Sequence, residues 1–414
     1  MKLHRTAFSV TLGLHLLLPL VFCASTYAGE FTIGMSAPFT GESRAIGIDL
    51  YRGTMAFVQH VNVMGGVNGR KIVIQAYDDQ GDPLPAIRNT IRLIEKHNVF
   101  LLYGYVGTAT IARILPLLKQ YSAEHIYLFF PFSGGEPSRQ PPYDEFVFNQ
   151  RASHREETEG FVDNLVIIGR NRIAVFYQMD AYGRSGWDGV RSALQKHGLK
   201  MVGEATYRRG ISSTENLQRQ VDILRAVGPD AVISISSYAA SAAFIRGARD
   251  AGWNVPIANI STVGSAILLN TLLEIGRANK KDYTIQLINS RVVPSYEDTS
   301  LLAVRQYREL MEKYDPHPPK GITDPAYSSQ KFSFTGLEGF LNAKLLVEIL
   351  KRMGPSPEKA RLKQVVEGIK DLDIGIDAPE SFAPHQHQGL HSVYYVTFMN
   401  GRFVPISDWG YWAK

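Results

Sequence analysis

Short apolar runs of strand type alternate with stretches whose apolar residues recur every three to four positions, and the alternation runs through the chain twice. In the first series, residues 31–35, 71–76, 99–103 and 126–130 read as strands. Helices between them carry Tyr51, Met55, Val58 and Val61, then Ile87, Ile91 and Ile94, then Ile111, Leu115 and Leu118. The second series restarts after Arg151, with strands at 173–177, 201–206 and 231–236. Its helices carry Phe161, Leu165 and Ile168, then Trp187, Val190 and Leu194, then Leu217, Val221 and Leu224. Strand–helix units at this spacing demand parallel pairing with right-handed crossovers. The expected fold class is therefore α/β, with two doubly wound parallel-sheet lobes. A chain of 414 residues is too long for one ordinary core and comfortable for two. From Asp282 the pattern loosens, and the chain closes on a hairpin predicted to turn at Asn400-Gly401.

The first 28 residues read as an export signal rather than as fold. Lys2 and Arg5 form a positive start, an apolar run reaches Cys23, and small residues end at Ala28, the expected cleavage point. A lipid anchor at Cys23 is disfavoured because bulky Phe22 precedes it. Cleavage would remove Lys2 and Arg5, taking the formal charge from +5 to +5 − 2 = +3, and would remove the only cysteine. A chain without thiols suits an oxidising compartment. No second stretch is apolar and long enough to span a bilayer, so the processed protein is expected not to cross the membrane. The mild charge, with no dense Lys/Arg run, argues against nucleic acid as a partner.

One stretch carries the clearest chemistry. The strand ending at Tyr103 leads through Gly104-Tyr105-Val106-Gly107 into a helix that begins near Thr108. Glycines allow a close approach by a ligand, and the N–H groups of a helix start favour an anion. Thr108 and Thr110 stand where their hydroxyls either cap the helix or face a ligand. Tyr103, Tyr105, Phe130, Phe132, Tyr182 and Tyr238 all fall at or just beyond strand ends, which share one edge in a doubly wound lobe. Tyr103 and Phe130 fit the strand core, whereas Tyr182 and Tyr238 lie in loops and suit a site.

Motifs for phosphate loops, dinucleotide binding, nucleophile elbows and HExxH metal sites are absent. The run His385-Gln386-His387-Gln388-Gly389-Leu390-His391 lacks an acid or cysteine to complete a ligand set, and Asp78-Asp79-Gln80-Gly81-Asp82 lacks the closing glutamate of a calcium loop. Neither metal nor cofactor is expected.

The order of several motifs resembles a known family. These are Gly34-Met35-Ser36-Ala37-Pro38-Phe39-Thr40-Gly41, Met64-Gly65-Gly66-Val67-Asn68-Gly69-Arg70, Tyr77-Asp78-Asp79-Gln80-Gly81-Asp82-Pro83, Gly104-Tyr105-Val106-Gly107-Thr108, Pro131-Phe132-Ser133-Gly134-Gly135 and Asp180-Ala181-Tyr182-Gly183. Together they resemble the type I periplasmic substrate-binding proteins of the leucine/isoleucine/valine-binding family, which feed ATP-driven importers. The resemblance implies two lobes joined by three crossovers, near residues 149–153, 292–294 and 371–375. Lobe 1 would then take residues 29–150 and 295–370, and lobe 2 residues 151–294 and 371–414. Thr108, with Gly107 and Tyr105 beside it, would hold a ligand carboxylate, and Phe132, Ser133 and Gly134 would form the loop offered to an amino group. Tyr182 and Tyr238 would close from lobe 2, with Ile46 lining the apolar part. The family's hydroxyl falls on Gly134 and its acid near Ser261, so both are missing here; Glu136 would supply an acid only if its loop folds inward.

The expected function is that of a periplasmic solute-binding protein, not an enzyme, that closes by hinge motion on a small carboxylate-bearing ligand, amino acid-like or an aromatic or aliphatic acid. It would deliver that ligand to permease and ATPase subunits of an ABC importer. An alternative with the same fold passes a signal to a membrane sensor kinase or chemoreceptor.

Overall fold

The computed structural model describes residue 1 and residues 29–319, 321–322 and 328–413. Apart from residue 1, the expected signal segment at residues 1–28, with Cys23, lies outside the described residues. The chain enters the first lobe through β1 (Glu30–Ala37), α1 (Arg44–Val63), β2 (Lys71–Asp78), α2 (Pro83–Ile91), β3 (Leu101–Tyr103), α3 (Thr108–Gln120), β4 (Leu128–Phe129) and β5 (Val147–Phe148). It continues through α4 (His154–Ile167), β6 (Ile173–Gln178), α5 (Ala181–Lys196), β7 (Gly203–Tyr207), α6 (Gln218–Ala226), β8 (Ala231–Ile235), α7 (Tyr238–Asp250), β9 (Ile257–Asn259), α8 (Ser265–Asn279) and β10 (Leu287–Arg291). It ends with α9 (Leu302–Tyr314), α10 (Phe334–Arg352), α11 (Leu362–Glu367), β11 (Tyr394–Met399) and β12 (Arg402–Pro405).

Two sheets result. The first has the order β2-β1-β3-β4-β5, all parallel, and the second β12-β11-β10-β9-β8-β6-β7. Within the second, β7-β6-β8-β9-β10 repeats the parallel order of the first, and the antiparallel hairpin β11–β12 extends its edge. The hairpin turns at Asn400 and Gly401, both at positive φ, as a tight two-residue turn requires. In this order the chain reverses direction between β1 and β3, and again between β6 and β8. Loops at such switch points leave a crevice beyond the strand ends.

Strand alternation builds a core on each face of each sheet. Leu101 and Tyr103 face one cluster with Phe31, Phe129 and Ile349, whereas Leu102 faces another with Ile114 and Leu118. All of β6 and β8 is buried, as expected of central parallel strands covered on both faces. In the first lobe α10 crosses α1 at close range: a Cβ on Gly53 would lie 1.8 Å from the Gly336 carbonyl oxygen, and one on Gly339 2.2 Å from that of Leu50. This crossing buries the N-terminal half of α1 almost all round, a broader contact than the face marked by Tyr51, Met55, Val58 and Val61.

Local chemistry starts the helices where the site needs them. The Asp82 carboxylate accepts from Leu84 N with Pro83 at the first helical position, and Ser153 and Glu156 form a reciprocal capping box on α4. Asp78 accepts from the N–H groups of Phe39 and Thr40 at 2.8 and 3.2 Å, and Asp79 accepts from Ser36 Oγ at 2.8 Å. The acidic run is therefore a brace that fixes the loop after β1.

The third passage between lobes differs from expectation. Gly389 and Leu390 donate to the carbonyls of Asn149 and Gln150 at 2.9 and 2.8 Å, so this crossing runs beside the first, later than residues 371–375. Residues 371–390 stay with the first lobe, because Ile374, Ile376, Phe382 and Leu390 bury against α10 and its neighbours. We therefore assign them to lobe 1. Nothing periodic in the sequence marks that irregular segment. Among the described residues no helix is long and apolar enough to cross a membrane.

Candidate functional site

The two switch points face each other across a cleft with a cavity volume of about 100 Å³. The first lobe lines it with Pro38, Ser43 and Ile46 after β1 and with Val106 to Thr110 and Phe132 after β3 and β4. The second lobe contributes Gln178 at the end of β6, Asp180 and Tyr182 after it, Arg209 after β7, Ser237 after β8 and Thr262 after β9.

The floor on the first side is the start of α3. Gly107, at φ +95°, is its N-cap, with no side-chain cap. Thr108 is the first helical residue and does not cap. Its Oγ1 lies 2.7 Å from Ser133 Oγ, which in turn accepts from Gly135 N at 3.0 Å. The N–H groups of Thr108, Ala109 and Thr110 have no intrahelical acceptor and stand at the cleft. Gly107 N donates to the Phe132 carbonyl and Phe132 N to that of Tyr105, which zips the two loops together.

Of the residues expected from sequence, Thr108, Gly107, Phe132, Ile46 and Tyr182 line the cleft. The Tyr182 hydroxyl donates to the Ser236 carbonyl at 3.1 Å and accepts from Thr262 Oγ1 at 3.0 Å. The other five do not line it. Tyr105 is fully buried among Ile111 and Leu115, its hydroxyl 3.0 Å from Thr90 Oγ1, because the turn at Gly104 sends its ring back into the helix layer. Ser133 is buried and reaches the cleft only through Thr108. Gly134 packs on His154, where a Cβ would meet the ring at 2.4 Å. Ser261 turns inward, its N–H and hydroxyl donating to Glu157 at 2.7 and 3.0 Å. Tyr238 stands at the mouth and donates to the Glu42 carbonyl of the opposite lobe. Glu136 lies outside the cleft, where Gln140 Nε2 donates to it at 3.3 Å.

Sequence reading missed Asp180, Arg209, Gln178 and Thr262. Asp180 caps α5 through the N–H groups of Tyr182 and Gly183 and pairs with Arg209 at 3.0 Å. Arg209 also donates to the Gly81 carbonyl of the first lobe at 2.9 Å, so it too bridges the lobes. The usable signal was position: Gln178 ends β6, and the other three lie just beyond a strand end at the crevice.

Beneath the cleft runs a buried belt of charge. The Arg151 guanidinium stacks on Phe132 at 4.4 Å, donates to Ser261 Oγ, and pairs with Glu338 at 3.2 Å and Glu157 at 3.9 Å. Burial raises the Glu338 carboxyl to about 7 against the pull of Arg151. Burial, then Arg151 and Arg139, hold the His154 imidazole well below its ordinary range and hence neutral. The C-terminal histidines are held by hydrogen bonds from other elements. His387 bonds the Asp144 carbonyl and Glu367, while His391 bonds Glu156. Among the described residues no cluster of three or more ligating side chains forms.

Comparison with known proteins adds the following. A family model described as periplasmic binding protein matches residues 30–402. The Leu/Ile/Val-binding protein homolog 3 of Brucella melitensis is 25% identical over 60% of this chain, which spans 64% of that relative, less than two thirds of its length. The Leu/Ile/Val-binding protein homolog 7 of the same organism is 24% identical over 91% of this chain and 89% of its own. The crystal structure of a possible leucine/isoleucine/valine-binding protein from Rhodopirellula baltica is 28% identical, with a TM-score of 0.81, covering 92% of this chain and 97% of that one.

Proposed function

This chain belongs to the periplasmic binding protein family, in its type I leucine/isoleucine/valine-binding kind, and from that premise we propose that it captures a small carboxylate-bearing ligand between its lobes and hands it to an ABC importer. The ligand carboxylate sits on the first turn of α3, where unpaired N–H groups and the helix dipole attract it. Because Ser133 Oγ accepts from Gly135 N, its own proton can go to Thr108, which leaves the Thr108 hydroxyl free to donate to that carboxylate. The single observation that carries the reading is this set of unspent donors opening into a cleft between lobes.

Hinge closure retains the ligand. The bonds from Tyr238 to Glu42 and from Arg209 to Gly81 cross the mouth and belong to a closed arrangement. The protein binds and releases its ligand without covalent change, and its partners are a permease pair and ATPases. Export by the N-terminal signal and residence in the periplasm complete the proposal.

Calorimetric titration of small organic acids into wild type and Thr108→Ala tests it. A loss of about tenfold in affinity is expected for the variant, the scale of one hydrogen bond to a charged group. Equal affinity would remove Thr108 from the site.

A further inference from the structure

We infer that the ligand of this cleft carries no amino group beside its carboxylate: the cleft takes monocarboxylic acids with an apolar or aromatic body. The inference rests on the carboxylate reading above and narrows it.

An ammonium withdrawn from water needs a carboxylate or several free acceptors around it. Asp180 is the only acid among the described residues that line the cleft, and it is already spent. It accepts from Tyr182 N at 3.0 Å, Gly183 N at 3.4 Å, Gln178 Nε2 at 2.6 Å and Arg209 at 3.0 and 3.3 Å. Glu157 lies behind Ser261 and is engaged by Ser261, Ser290 and Arg151. Asp49 and Glu338 line a second chamber, of about 10 Å³, that shares only Phe132 with the cleft among the described residues.

In the loop after β4 the carbonyls of residues 132–134 each already accept a hydrogen bond from the protein. The Phe132 carbonyl accepts from Gly107 N at 3.2 Å, that of Ser133 from Arg139 Nη2 at 3.1 Å, and that of Gly134 from His154 N at 2.7 Å. No side chain at position 134 adds a hydroxyl, since a Cβ there would lie 2.6 Å from His154 N.

The electrostatics point the same way. The α3 terminus is positive and favours an anion over an ammonium, and Arg151 stands 4.4 Å from the Phe132 ring. The body of the ligand meets the apolar surface of Pro38, Ile46, Val106 and Phe132, beside the neutral hydroxyls of Ser43, Ser237 and Thr262, none of which offers an ammonium a compensating charge.

Matched pairs test this with the whole processed protein: leucine against 4-methylpentanoate, and phenylalanine against 3-phenylpropanoate, each differing only by the amino group. In at least one pair the deaminated acid is expected to bind about tenfold or more tightly than its partner. An amino acid that binds as tightly as its deaminated partner, or more so, overturns the inference. If that binding still weakens in Thr108→Ala, the carboxylate reading survives alone; if none of the four binds, both fall. Thr262→Glu places an acid on the cleft wall and is expected to narrow or reverse the preference. A folded Thr262→Glu protein with the preference unchanged would overturn the inference as well.

Discussion

The cleft and the belt beneath it are both polar, both at the junction of the lobes, and built on opposite terms. In the cleft, the first turn of α3 keeps N–H groups with no protein acceptor. In the belt, Arg151, Glu157, Glu338, Ser261 and Ser290 are turned on one another and sealed from water. A buried charge without its partner costs far more than an exposed one, so the belt should hold the fold together. A donor left open at a cleft costs little in the free protein and acts only when a ligand arrives. The lesson is that stability and affinity should be separable here by mutation, although the residues concerned are near neighbours.

The sharpest test of that separation is Arg151→Leu. It strands Glu157 and Glu338, and urea unfolding should show a loss of about 3–5 kcal/mol. If stability is unchanged, the belt is not what secures the junction. Next in size is a pH effect at the first crossing. Glu380 is fully buried with Gln150 as its partner, and burial raises its carboxyl to about 8. The native state therefore holds a proton that the unfolded chain gives up. The stability is fully present below about 4.5 and is lost as pH rises through about 8. Glu380→Gln should gain on the order of 2 kcal/mol over wild type at pH 8.5, and the gain should vanish at pH 4. A gain independent of pH would refute the assignment.

Cleft changes should invert the pattern. Thr108→Ala should reduce ligand affinity as stated above while altering the unfolding free energy of the empty protein by about 1 kcal/mol or less. A larger loss would mean that Thr108 serves the fold first. The smallest effect is expected from Tyr238→Phe, which removes one bond across the mouth. Stopped-flow release should accelerate a few-fold, with stability unmoved, in line with one partly exposed hydrogen bond. Unchanged release would remove Tyr238 from closure.

The two doubly wound lobes were legible in the chain because strand and helix periods are local properties of neighbouring residues. The same holds for the Asn400-Gly401 turn, the Asp82-Pro83 helix start and the glycine approach to Thr108, each decided within a few positions. The resemblance to a known family implies three crossovers, and we place the third later than it implies. Ile374, Ile376 and Phe382 choose the first lobe by what they meet in space, which no spacing rule encodes.

The residues at the cleft divide along the same line. That Gly107, Thr108 and Tyr182 stand at its edge was legible because a strand end followed by a helix start is visible in sequence. Tyr105, Gly134 and Ser261 stand just as near to strand ends, yet their environments are set by Thr90, His154 and Glu157 from other elements. Asp180 and Arg209 meet only after β6 and β7 pair. Sequence alone determined which segments form the walls of the cleft, since backbone periodicity needs no distant partner. Which donors remain unspent there, and so what chemistry the cleft accepts, was decided only when the folded chain assigned every other hydrogen bond.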